Sequence, residues 1–239
     1  MLRLEQLTCG YGPMRAVHGL DIEVPERGIT ALLGANGAGK SSTIMCIAGH
    51  VTVHQGRVLY RGQDITDLSP MERVRNGIAV VPEGRRLFTS LTVQENLIMG
   101  GYSRPKDHAG PTMDRVLTLF PRLGERLTQK AGSLSGGEQQ MLALGRALMS
   151  EPHLLLVDEL SLGLMPKLID ICYEAISDLN RSGLTIVLVE QSTQRAFDVS
   201  HQVCVLESGK SIWKGSAAQA RNNAQLIDAL LGLREKDIQ

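Results

Sequence analysis

Nothing in this sequence is long and apolar enough to cross a bilayer. Its longest apolar runs, such as Leu154–Val157, fall far short of the ~20 residues that a membrane helix needs. The opening stretch, MLRLEQLT, alternates like a strand and carries no signal-peptide core. These absences predict a soluble, cytoplasmic chain that reaches a membrane only through partners. An excess of charge is also missing. Lysine plus arginine number 25 and aspartate plus glutamate 25, which argues against a protein that coats nucleic acid. The four cysteines, Cys9, Cys46, Cys172 and Cys204, are scattered without a Cys-x-x-Cys pair, so buried free thiols are expected. The histidines lack ligand spacing as well. His50 and His54 flank Val51-Thr52-Val53, which reads as loop or strand, and no transition metal is expected. Aromatics are scarce, and there is no internal repeat. The 239 residues suffice for one well-buried domain with an inserted subdomain.

What is present is organised around Gly34–Ser42, GANGAGKSS, which fits G-x-x-x-x-G-K-[ST]. Small residues let successive N–H groups turn inward as a nest for phosphate oxygens. Gly34, Asn36, Gly37, Ala38, Gly39, Lys40, Ser41 and Ser42 are thus the candidate phosphate-binding residues. Lys40 brings a positive charge for the β- and γ-phosphates, and Ser41 a hydroxyl for Mg²⁺. The flanks agree. Ile29–Leu33 reads as a buried strand and Ser42–Ala48 as a helix ending at Gly49, so a helix N-terminus faces the phosphates. The chain is expected to bind a nucleoside triphosphate. A guanine-specifying N-K-x-D motif is absent, which disfavours a GTPase.

Period-two patterns at 2–8, 20–24 and 56–61 predict an N-terminal antiparallel β-layer. Tyr11-Gly12 between the first two strands reads as a loop whose aromatic ring could stack on adenine. Ser69-Pro70-Met71-Glu72 and Thr92-Val93-Gln94-Glu95 are capping boxes opening helices that end at Gly77 and near Gly100. Ile78–Pro82 reads as a buried strand, and Gly101–Pro111 as a loop before an amphipathic helix, Met113–Phe120. No strand pattern appears from Thr92 to about Ser150. The expected division is therefore an α/β core with its β-layer, residues 1–91 and 150–239, and an inserted all-helical subdomain, 92–149. Buried strands at 154–157 and 184–189 frame a helix at Pro166–Asn180. A hairpin at 203–214 and two C-terminal helices, the second Ala224–Leu231, complete the chain.

Two more motifs carry chemistry. Leu154–Glu159 puts two carboxylates at the carboxyl end of a buried strand, where ligands sit in open α/β sheets. Asp158 is the candidate for holding Mg²⁺, and Glu159 for orienting or deprotonating the attacking water. Leu134–Gln140, LSGGEQQ, opens a helix. Ser135-x-x-Glu138 is by itself a capping box, which does not explain Gly136-Gly137; a phosphate at the helix N-terminus does.

LSGGE nearly matches LSGGQ, and with the phosphate loop the chain resembles an ATP-binding-cassette (ABC) transporter ATPase subunit over residues 2 to about 232. The resemblance implies a P-loop NTPase core in which two ATPase domains pack head to tail. The phosphate loop of one and the signature of the other then enclose each ATP, and closure drives a permease. It makes Tyr11 the adenine-stacking residue, Asp158 and Glu159 the Walker B pair, and Ser161–Leu164 the loop crossing the dimer interface. PEGRRLF, LSGGEQQMLALGRALM, DE-x-SLGL and VEQ are similar to the importer ATPases for branched-chain (hydrophobic) amino acids, in particular the shorter of their two ATPase subunits. Implied partners are the second ATPase subunit, two permease subunits and an extracytoplasmic solute-binding protein, with the chain peripheral on the inner face of the cell membrane. An importer of another small solute, such as an amide or urea, and a non-transport ABC ATPase are the alternatives. Three positions depart from the family pattern. Glu83 stands for a glutamine that touches Mg²⁺ and the water, Gln191 for the switch histidine, and Leu160 for a proline. Gln191 can still donate to a γ-phosphate, but losing one well-aimed donor typically costs ~10²–10³ in rate, so a low intrinsic turnover is expected.

Overall fold

The computed structural model describes residues 1–231. The chain begins with β1 (Leu2–Tyr11), β2 (Met14–Val24), β3 (Ile29–Leu33), α1 (Lys40–Ile47), β4 (Thr52–Tyr60), β5 (Gln63–Asp64), α2 (Pro70–Arg75) and β6 (Ile78–Val81). A helical stretch follows, with α3 (Val93–Gly100), α4 (Ala109–Leu119), α5 (Pro121–Gly124) and α6 (Gly136–Leu148). Then come β7 (Leu154–Asp158), α7 (Pro166–Arg181), β8 (Thr185–Val189), α8 (Thr193–Val199), β9 (Gln202–Glu207), β10 (Lys210–Ser216), α9 (Ala217–Arg221) and α10 (Ala224–Leu231). Two compact units result, residues 1–67 with 187 onward, and Leu68–Ile186; the chain passes between them inside β8.

The first unit holds the predicted β-layer, an antiparallel sheet in the order β2-β1-β4-β5. Leu2, Leu4 and Leu7 oppose Val24, Ile22 and Leu20, so one face of the sheet is a continuous apolar surface. The strands run further than their alternation suggests. Register shifts near Leu7 and Cys9 let β1 continue to Tyr11, which pairs with Met14 across a two-residue turn. Tyr11 thus ends a strand instead of lying in a loop. β3 is buried at all five positions, as a strand covered on both faces must be. It pairs in parallel with β9, which pairs antiparallel with β10, and β8 lies on its other side. Ala31, Leu33, Phe197, Val203, Val205, Ala220 and Leu226 form one core that seats the C-terminal helices. The helix α8 escaped the sequence pattern.

In the second unit β6 and β7 are parallel, Ile78 opposite Leu154 through Val81 opposite Val157, with the start of β8 beside β7. Among the described residues, no strand lies between α3 and α6. Each of α2, α3 and α6 starts with its capping box formed in both directions, worth about 1 kcal/mol apiece. α6 packs on its neighbours through Gly145, where a Cβ would meet Val116 at 2.8 Å and Leu97 at 3.1 Å. α4 starts four residues earlier than its apolar stripe suggests. Pro111 sits in its first turn, where a missing N–H costs nothing. All four cysteines are free and buried. Burial pushes the Cys172 thiol up to about 11, and the contact with Cys46, then burial, raises that of Cys9, so both stay protonated.

Candidate nucleotide site

In the first unit the phosphate loop joins β3 to α1 as predicted. Gly34 has φ 146°, and a Cβ there would meet the Leu206 carbonyl at 2.2 Å, so no side chain fits. Gly39, at φ 100°, is the N-cap of α1 and offers no side chain to its first-turn N–H groups, which leaves them for a bound anion. Lys40 is buried, its ammonium donating to the carbonyls of Gly34 (2.9 Å) and Ala35 (3.0 Å). Thr43 Oγ1 returns to the Gly39 carbonyl at 2.8 Å and ties the helix start to the loop. Ala35, Asn36 and Gly37 are exposed at the loop's crest, and Ser41 and Ser42 are half-buried. The turn between β9 and β10 buttresses the loop, Gly209 N donating to the Ala38 carbonyl at 3.0 Å. Gln191 lies two residues past the end of β8 and is exposed; the preceding amide, Glu190 N, reaches the Leu32 carbonyl at 3.4 Å, so Gln191 lies at the phosphate-loop end of β3. Tyr11 is half exposed at the end of the β1–β2 hairpin.

In the second unit Asp158 closes β7 and is only 2% exposed, whereas Glu159 emerges beyond it with φ 51°. Left-handed backbone costs an L-residue roughly 1–2 kcal/mol, and functional sites are where such strain concentrates. Leu160 anchors the strained turn by burying its whole side chain. The parallel register of β6 and β7 puts Glu83, two residues past Val81, at the same carboxyl edge as Asp158 and Glu159. Glu83 is exposed.

The signature segment is also in the second unit. Ser135 Oγ accepts from Glu138 N at 3.4 Å, and Glu138 Oε2 accepts from Ser135 N at 2.9 Å. Gly136 lies beside the Arg85 guanidinium, 3.4 Å from where its Cβ would be. Gly137 has a packing reason as well, since a Cβ there would come within 2.4 Å of Leu168. Two contacts were not legible in the sequence: Arg126 Nε donates to Glu138 at 2.7 Å and Arg85 Nη1 to Gln139 at 3.1 Å, and both depend on loop paths that no periodicity encodes.

A profile described as "ABC transporter" matches residues 17–161, more than half the chain. The chain belongs to the ABC transporter ATP-binding family. It is 47% identical over 232 residues to the high-affinity branched-chain amino acid transport ATP-binding protein BraG of Pseudomonas aeruginosa, covering 97% of this chain and 100% of that one. It is 37% identical to a probable branched-chain amino acid transport ATP-binding protein, LivF, of Archaeoglobus fulgidus, covering 98% and 99%. Among solved structures, the ADP conformation of an ATP-binding cassette of an ABC transporter superposes with a TM-score of 0.85 at 25% identity, covering 97% and 98%. The expected fold, an α/β cassette with an antiparallel β-layer, therefore holds, and so does the expected ATPase class. Among the described residues of this cassette, no helix is long and apolar enough to cross a membrane.

Proposed function

We propose that this cassette hydrolyses ATP as the shorter ATPase subunit of an importer for branched-chain or other hydrophobic amino acids. The observation that carries the ATPase part is the uncapped start of α1, held open by Gly39 and faced by the Lys40 ammonium, which together suit a triphosphate. Full-length similarity to BraG supports the solute class. Lys40 would release the loop carbonyls to hold the β- and γ-phosphates, with the N–H groups of Gly37, Ala38, Gly39, Ser41 and Ser42 around them. Tyr11 would stack on the adenine. Glu159 would orient a water and take its proton as the oxygen bonds to the γ-phosphorus and the bridging bond to ADP breaks. Gln191 would donate its amide to the γ-phosphate.

The donors on this chain fit a hard divalent cation. The Ser41 hydroxyl and the Asp158 and Glu83 carboxylates are oxygen donors, the kind Mg²⁺ takes while phosphate oxygens and water complete its shell. Ser41, Asp158 and Glu83 would hold it. When bound, it offsets phosphate charge. Ser135, Gly136, Gly137 and Glu138 would face the nucleotide of a second ATPase subunit packed head to tail. Two permease subunits would fix the pair on the inner face of the membrane, fed by an extracytoplasmic solute-binding protein.

Equilibrium ATP binding and steady-state hydrolysis by Lys40→Ala and Glu159→Gln test the assignment. Lys40→Ala should lose most affinity, while Glu159→Gln should bind ATP, nearly stop turnover and accumulate a dimer. Hydrolysis by Glu159→Gln at the wild-type rate would overturn the choice of base. Identification of permeases that co-purify from membranes tests the importer reading.

A further inference from the structure

The loop that carries Glu83 has a backbone that L-residues avoid. Gly84, Arg85 and Arg86 lie consecutively in the left-handed region, at φ 71°, 64° and 43°. A run of this kind persists only where its surroundings over-determine it. Those surroundings are mostly α6. Arg85 Nη1 donates to Gln139 Oε1 at 3.1 Å and its Nε to Gln140 Oε1 at 3.3 Å. In return Arg146 donates to the Arg85 carbonyl at 3.1 Å, with its guanidinium 5.4 Å from the Phe88 ring centroid. Asn96 grips Phe88 in both directions, accepting from its N–H and donating to its carbonyl at 3.0 Å each. The loop is thus pinned at both ends.

We infer that Arg85 is a positioning residue that makes the Glu83 loop and the first turn of the signature helix move as one body. This rests on the roles proposed above for Glu83 and for Ser135–Glu138. In a head-to-tail dimer these two elements serve different nucleotides, so Arg85 links one site to the other. The planar guanidinium reaches two acceptors from different edges of one rigid group, which a lysine cannot copy. Gln139 is itself oriented, its amide donating to the carbonyls of Leu134 (3.2 Å) and Ala131 (3.4 Å), so its oxygen is presented to Arg85. Both acceptors are neutral. The cation beside Gly136 is therefore not cancelled by them and adds to the positive end of the α6 dipole. An anion at the signature relieves that repulsion and tightens the contact; its departure loosens the contact and frees the strained loop.

The test uses the purified full-length protein, with ATP turnover measured against ATP concentration and melting temperature recorded for each variant. Arg85→Ala should lower kcat roughly tenfold while KM for ATP stays within about twofold, because placement and not nucleotide binding is lost. Arg85→Lys should remain low. Gln139→Ala should lie between, and the double variant should be no slower than Arg85→Ala alone. Amide exchange across residues 84–88 should quicken in both single variants. Gln139→Ala leaves the loop sequence intact, so it carries the test even if Arg85→Ala folds poorly. Wild-type kcat in Arg85→Ala, full rescue by lysine, or additive losses in the double variant would each overturn the link. Lys40→Ala, assayed alongside, separates the two readings. ATP affinity surviving in that variant sinks the nucleotide assignment, whereas its loss beside an unimpaired Arg85→Ala sinks only the link.

Discussion

Arg126 Nε donates a 2.7 Å hydrogen bond to Glu138 Oε1, while Glu138 Oε2 receives the Ser135 hydroxyl at 2.8 Å. The family's usual glutamine at this position could not provide the charge that Arg126 meets. Burial alone would raise the Glu138 pKa, but the Ser135 amide and hydroxyl and the Arg126 guanidinium outweigh it and bring the value below the ordinary carboxylate range. Glu138→Gln should therefore keep the helix cap and lose the ion pair, costing about 1 kcal/mol in urea denaturation at pH 7. In an Arg126→Ala background the same substitution should cost little. Equal costs in both backgrounds would show that the two side chains are not coupled.

Gly137 has two reasons to be glycine, and they make different predictions. Leu168 occupies the space a Cβ would take, at 2.4 Å. If packing dominates, Gly137→Ala should destabilise the fold by about 1–3 kcal/mol, and Leu168→Ala should restore most of the loss together with turnover. If close approach of a phosphate dominates, the double variant should regain stability yet remain slow. We expect the second outcome, with the melting temperature recovered and kcat still reduced in steady-state assays.

The sequence made legible what depends on local chemistry. Ile29–Leu33 is β3 residue for residue, and the capping boxes at Ser69, Thr92 and Ser135 all form, because each is decided within four residues of chain. What escaped depends on distant partners. The continuation of β1 to Tyr11 is paid for by pairing with Met14, across residues whose burial does not alternate. α8 is short and earns its place through Ala196 and Phe197 in the C-terminal core. Within the candidate site the phosphate loop, the carboxylates and the signature could be read as motifs. Arg85, Arg126 and Leu168 could not, since their roles arise from a left-handed turn and from helices brought together by the fold.

Glu151 makes an acid-sensitive anchor for α4. Its carboxylate meets His108 Nδ1 at 3.0 Å, accepts from Thr112 Oγ1 at 2.8 Å and pairs with Arg115. These contacts, led by His108 and then Thr112, hold its pKa at about 2 against an ordinary 4.5. A folded-state pKa below the unfolded one stabilises above the unfolded value, and the benefit is lost as pH falls through the folded value. Glu151→Gln should thus be less stable than wild type at pH 7, with the gap narrowing as pH falls from about 4.5 to about 2 in denaturation series. A gap that stays constant or widens on acidification would show that the carboxylate charge is not what anchors the helix.

Leu160 stands where the family pattern usually has a proline, directly after the glutamate proposed as the base, and the backbone gives that exchange a consequence. Glu159 sits at φ 51°, whereas a residue preceding proline is driven toward extended conformations. The leucine both permits the left-handed turn and anchors it through a side chain with no exposed surface. Two substitutions separate these effects. Leu160→Ala should lose about 2–5 kcal/mol of stability through the cavity left behind, but keep the turn and hence most of kcat at temperatures where the variant is folded. Leu160→Pro should also move the Glu159 backbone, so kcat should fall by roughly tenfold or more while ATP affinity persists. If Leu160→Pro turns over as fast as Leu160→Ala under folded conditions, the left-handed conformation of Glu159 has no part in placing its carboxylate.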